Sequence, residues 1–260
     1  MGTVSCRAAI LARLSPHTPA FGGTIVSLPL LAVPAGTVNS PALLWGTASG
    51  LGTGIGVAFL YRAMHNGAIS VVVPISDVGA VCLPVLAGLL FLRERPSLAA
   101  WGGVIMSLPA IWMVSRGNTT QPRSASGVPD ALIAGAGFGL QFIGMGQVPA
   151  GTGWWPIVIS RVTSVLVILV LVTKEAAFVR LRAAHAAMAL SAGAAGTVAI
   201  ILYFLAAKQQ LMTIVVVLSA LYPAIPVLLA LIFLGERLNR TQAAGLACAA
   251  AAIALLSAKY

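Results

Sequence analysis

Displaced by 142 residues, this chain largely repeats itself. Tyr61 falls on Tyr203, Pro84 on Pro226, and Phe91-Leu92-Arg93-Glu94-Arg95 on Phe233-Leu234-Gly235-Glu236-Arg237. From Tyr61 to Ser115 there are about 14 identities in roughly 55 gapless pairs, and most other pairs match apolar with apolar. A repeat of more than about 100 residues exceeds any solenoid unit and reports a duplicated domain. Both copies are strongly apolar. In a membrane, a duplicated bundle with a substrate site between its halves is the usual construction of a secondary transporter.

The apolar residues come in long blocks rather than on one helical face. Over 260 residues the chain is 59% hydrophobic and 8% charged, with a mean hydropathy of +1.01. A soluble domain carries about 25% charged residues, so this chain could not cover its own surface in water. A spanning helix needs about 20 apolar residues, and backbone groups in lipid must be satisfied internally, which makes such blocks helices. The alternation of a membrane barrel is absent. The net charge of +10 does not indicate nucleic acid, because Lys and Arg stand singly in the breaks between blocks, as membrane anchors do. Cys6, Cys82 and Cys248 are scattered without metal or disulfide spacing.

Spans are expected at about 20–38, 43–61, 68–92, 98–115, 129–148, 155–173, 187–207, 211–234 and 241–258. The first, broken by Pro29 and Pro34, has a secretory signal as its alternative reading. Arg116 to Gly127 is the longest polar break and reads as a linker. The expected division is a first repeat at 1–115, a linker at 116–128 and a second repeat at 129–260. The second repeat holds five spans and the first shows four, so the first helix of a ten-helix plan is expected to be missing or truncated. Cys6 to Arg13 reads as its tail, and the alternative is a genuine nine-span protein. An odd number of spans per copy inserts the copies in opposite senses, as an inverted repeat. Counting Lys and Arg, Arg62, Arg116, Arg123, Lys174, Arg180 and Arg182 gather with Arg237 and Arg240 on one side. Arg93, Arg95, Lys208 and Lys259 gather on the other, a bias that places the C-terminus outside.

Leu218 to Asn239 (LSALYPAIPVLLALIFLGERLN), followed by Gln242-Ala-Ala-Gly-Leu246 and an Ala/Leu-rich helix, resembles the EamA-type drug/metabolite transporters. Val73-Pro-Ile-Ser-Asp-Val-Gly79 through Leu92-Arg-Glu-Arg-Pro-Ser97 is a looser second match. Together they cover residues 43 to 258. The resemblance implies two inverted five-helix repeats around a central cavity, transport of small metabolites, often export, and both termini in the cytoplasm. The last point conflicts with the charge bias.

Asp77 is the sharpest candidate for chemistry. It lies about nine residues into its span, roughly 14 Å deep in a 30 Å core. A carboxylate there is expensive and by default functional, and desolvation favours its protonated form. Pro74 and Pro84 flank it, each freeing an upstream carbonyl for a cation or an amine; the alternative is a carboxyl that only locks packing. Arg161 could pair with Asp77, hold a substrate carboxylate, or snorkel to headgroups. Tyr222 is a cavity candidate, with Pro223 and Pro226 breaking its helix. Gln141, among Gly135, Gly137, Gly139, Gly144 and Gly146, either contacts substrate or joins another helix.

Several other features carry plainer readings. Tyr61 and Tyr203 read as interfacial anchors, and Trp154 and Trp155 as an interface belt. Glu94 and Glu236 read as markers of helix exits, with Arg95 and Arg237 beside them. Gly46, Gly50, Gly54 and Gly196 have the spacing of tight helix crossings. His17, His65 and His185 are isolated, and no catalytic set or phosphate loop is present.

The expectation is an all-α multi-pass transporter, not an enzyme, needing no cofactor or metal. It would exchange an amine- or amino-acid-like cargo with protons, most simply as an exporter. Its partners are the small-molecule substrate, the lipid bilayer and protons, with no nucleic acid. It would work as a monomer or homodimer in the cell membrane, taken as a bacterial inner membrane. The competing reading is a non-transporting membrane subunit or sensor.

Overall fold

The segments that start and stop these helices are written in the sequence beside them. In the computed structural model, α1 (Ser40–Asn66) opens at Asn39, whose Oδ1 accepts from the Ala42 N–H at 2.9 Å. Pro41 occupies its first turn, where no intrahelical N–H is required. The helix ends at Gly67, whose N–H still reaches the Ala63 carbonyl. α2 (Ile69–Leu90) contains Pro74 and Pro84. α3 (Leu98–Ser115) is capped by Ser97, whose Oγ accepts from the Ala100 N–H at 3.1 Å. α4 (Val128–Gly146) has Pro129 and Asp130 in its first turn. α5 (Trp155–Val172), α6 (Ala183–Ala207), α7 (Met212–Ala220) and α8 (Arg240–Ser257) follow.

The structure describes residues 39–67, 69–115, 127–172, 183–221 and 240–257, all helices and their connections, with no strand among them. The span expected at 20–38, most of the linker, Glu236, and Tyr222 with Pro223 and Pro226 lie outside these residues. Within them, each later expected span coincides with a helix, and α3 matches at both bounds. Among the described residues, four helical stretches are long and apolar enough to cross a membrane: Ser40–Asn66, Val71–Leu90, Val128–Gly146 and Leu190–Ala207. Leu98–Met113, Trp155–Leu171 and Ala243–Leu255 are shorter apolar stretches.

Moved by 142 residues, the described α3 falls on the described α8, α1 on α6, and the start of α2 on the start of α7. Two of these pairs meet end to start. The end of α2 meets the start of α7 at Gly88 and Thr213, and the start of α3 meets the end of α8 at Gly102 and Leu255.

Glycines set how closely the helices pack. α1 lies between α4 and α5. Along its α5 face, Gly46 meets Pro156, Gly50 meets Ser160 and Gly54 meets Ser164 and Val167, so the two helices run parallel. Along its α4 face, Gly52 meets Gly137, while Ser49 and Trp45 meet Gly144, so these two run antiparallel. α4 in turn packs along α2, with Gly79 against Gly135 and Leu83 against Gly139. Every one of these contacts has backbone on at least one side, the arrangement that small residues permit in lipid. Gly196 differs from the expectation. Among the described residues no atom lies within 4 Å of where its Cβ would stand, so it forms no tight crossing there.

The main core joins both copies: Val81 and Val85 of α2, Ile111 of α3, Met145 of α4, Val216 and Val217 of α7, and Ala252 of α8. Outward, large apolar side chains are bare, with Leu98 91% and Val170 72% exposed. A soluble protein rarely presents such continuous apolar surface; a hydrocarbon surround removes the cost.

Candidate functional site

Asp77 sits in the middle of α2, about 12 Å along the axis from its first residue at 1.5 Å per residue, and is only 7% exposed. Pro74 and Pro84 bracket it inside the same helix. Neither proline has an N–H to donate, so each interrupts the helical hydrogen-bond ladder one turn upstream. Ser76 beside it turns its hydroxyl back to the Val73 carbonyl at 3.0 Å. The approach of Gly79 to Gly135 brings the backbone of α4 against this stretch. Asp77 therefore occupies a buried, proline-broken helix, flanked by tight packing.

Gln141 lies at the α1–α4 crossing. Thr53 Oγ1 donates to Gln141 Oε1 at 2.9 Å and is as close to the Ser49 carbonyl, so its single proton is shared between two acceptors. On the other face of α1, Ser160 Oγ donates to Ser49 Oγ at 3.2 Å. A buried polar seam thus stitches α4, α1 and α5 together.

Arg161 is on α5, and its Nη2 donates to the Gly196 carbonyl of α6 at 2.7 Å. Helices α1 and α4 stand in the packing order between α5 and the helix that bears Asp77. Of the expected set, Asp77 and Gln141 lie on neighbouring helices, Arg161 reaches toward α6, and Tyr222 is outside the described residues.

Two carboxylates have partners that the sequence did not disclose. Asp130, in the first turn of α4, accepts from Asn66 Nδ2 at 3.2 Å and pairs with Arg62 at 3.3 Å. Its position after a proline at a helix start is a signal for an acidic residue favoured by the helix dipole. Glu94 was expected to mark a helix exit. It lies just past the end of α2 and also reaches across to the second copy, where Oε1 accepts from the Met212 N–H at 2.7 Å and Oε2 from the Thr213 N–H at 3.0 Å.

Tyr203 is also unlike the expectation. It is buried rather than interfacial, donates its hydroxyl to the Phe142 carbonyl at 3.0 Å, and lies 4.8 Å from the Phe142 ring. Trp154 packs on Phe204 at 6.4 Å and joins the core, while Trp155 keeps its outward place. Just past α6, Lys208 lies over the Phe204 ring and donates to the Val148 carbonyl, and partial burial holds its pKa below the ordinary lysine value.

Comparison with known proteins supplies a context for this geometry. Residues 125–258 match the EamA-like transporter family. No curated protein matches the chain. One solved crystal structure superposes with a TM-score of 0.75 over 95% of this chain and 88% of its own length, at 16% identity, which is a likeness of fold.

Proposed function

The chain belongs to the EamA-like transporter family, and on that premise we propose that it exports a small amine- or amino-acid-like metabolite or drug in exchange for protons. The chain is a multi-pass membrane protein of a transporter family rather than an enzyme family. The observation that carries the finer reading is the buried Asp77 carboxylate between two in-helix prolines. A charge there is retained against several kcal/mol of desolvation only where it has work to do. A carboxylate that binds either a proton or a cationic amine, but not both, couples the two fluxes.

The architecture we propose is a pair of inverted repeats, the first at 1–115 and the second at 129–260. The end-to-start meetings of equivalent helices and their shared 142-residue offset support it. The tightly packed α1–α4–α5 crossing is the pivot about which one half rocks against the other. Tyr222 is assigned to the cargo with Asp77, because the offset makes it equivalent to Ala80, one turn along from Asp77. Gln141 and Arg161 are assigned to holding the bundle around the cargo, since their described bonds run to Thr53 and Gly196. The setting is the cell membrane, taken as a bacterial inner membrane, with a monomer or homodimer as the working unit.

The test is transport in proteoliposomes under an imposed pH gradient, screened against amines and amino acids. Asp77→Asn should abolish gradient-driven flux while the purified protein melts as cooperatively as wild type. Undiminished flux in the variant would sink the role of Asp77. Ligand binding without flux in the wild type would favour the sensor reading.

A further inference from the structure

Glu94 does something that a helix-exit residue need not do. α7 begins at Met212, and its first intrahelical bond in this region runs from the Val215 N–H to the Leu211 carbonyl. The N–H groups of Met212 and Thr213 therefore have no partner from their own helix. Leu211, at the cap position, offers no side-chain acceptor. Both donors are satisfied by Glu94 from the α2–α3 turn, 118 and 119 residues earlier in the chain. A helix start is where backbone N–H groups and the dipole favour a negative charge.

Three further observations mark the contact as built. In the turn that carries Glu94, Arg93 takes a positive φ of 52°, a left-handed conformation that costs a side-chain-bearing residue. Gly88 leaves room for it: a Cβ there would stand 2.6 Å from Glu94 Oε2 and 2.7 Å from Thr213 Oγ1. That hydroxyl, on a residue only 1% exposed, has no hydrogen-bond partner among the described residues. A strained turn, a half-buried carboxylate and an unsatisfied hydroxyl thus meet where the two copies join.

We infer that Glu94 is a proton-operated latch between the two halves: as a carboxylate it caps α7 and holds the end of α2 against it, and on protonation it lets go. A neutral carboxyl is a weaker acceptor and loses its attraction to the helix start. The charged and titratable groups around it are few. Its own turn carries Arg93 and Arg95, and α6 presents Tyr203, close enough to feel the Glu94 charge, followed by Lys208. α3 and the described part of α7 contribute none. The purpose of the latch rests on the transporter reading. Its existence does not, and the two fail separately, because flux through Asp77 and exchange at α7 are different readouts.

Amide hydrogen exchange of the purified full chain in nanodiscs, resolved at Met212 and Thr213, tests it. After correction for intrinsic chemistry, protection at these two amides should fall as the pH is lowered from 8 toward 3, by at most about tenfold, the size of a lost cap. Val216 and Val217, deeper in the same helix, should change little. Glu94→Gln should show the low protection already at pH 8 and no pH dependence. Protection in the wild type that does not change with pH would overturn the latch, whether or not the variant folds. So would a folded Glu94→Gln that keeps full protection.

Discussion

Gly52 offers the sharpest test of the helix packing. A Cβ at this position would stand 2.5 Å from the Gln141 nitrogen and 2.5 Å from the Gly137 carbonyl oxygen, where contacts under 3.0 Å are essentially never seen. Both obstacles are backbone, so no side chain can swing aside, and α4 must retreat from α1 by roughly 1 Å to restore ordinary contact. A gap of that size forfeits a quarter to a half of each dispersion contact along the crossing. It also stretches the Thr53–Gln141 hydrogen bond, now 2.9 Å. Overpacking costs about 1–3 kcal/mol, and alanine's better helix propensity returns about 1 kcal/mol. With backbone on both sides the loss belongs at the upper end, leaving Gly52→Ala about 1–2 kcal/mol less stable. Thermal unfolding in detergent should register this as a lowered midpoint. Gly196→Ala is the control, because its Cβ meets no described atom within 4 Å, and it should melt at or above wild type. A Gly52→Ala protein as stable as wild type, or an equal drop in both variants, would refute the close crossing.

Other expectations are simpler to state. Tyr203→Phe keeps the ring against Phe142 but orphans the Phe142 carbonyl from its donor; a loss of about 1 kcal/mol in thermal or chemical unfolding is expected. Arg93→Gly removes the left-handed strain and should stabilise by about 1 kcal/mol, a change that copies Gly235 of the second half. An Arg62→Ala/Asp130→Asn double-mutant cycle should return a coupling under about 1 kcal/mol that fades at high salt, because the Arg62 side chain is 64% exposed.

The helices were legible because their cause is local. An apolar block of span length has one low-energy backbone in lipid, so the bounds of α3 or α5 need no knowledge of neighbours. The duplication was equally plain, and so was Asp77, a lone carboxylate in an apolar run. Partners were not legible. Tyr203 looked like an anchor at a helix end, yet its hydroxyl finds a carbonyl on α4. Gly196 shares its residue type with Gly50, but among the described residues a Cβ would meet a neighbouring backbone at Gly50 and nothing within 4 Å at Gly196. The sequence does not disclose that Thr53 stands beside Gln141.

By itself, then, the sequence determined that this chain crosses a membrane as helices, in two related halves, with a buried acid near the middle. Those follow from hydropathy and repetition, which each residue carries wherever it is placed. Only the tertiary structure decided that α1 lies between α4 and α5, that Asp130 answers Arg62, and that Glu94 caps a helix of the other copy. Such contacts depend on which surfaces meet, and residues far apart in the chain, 118 and 119 positions for Glu94, leave no mark of their meeting in either local sequence.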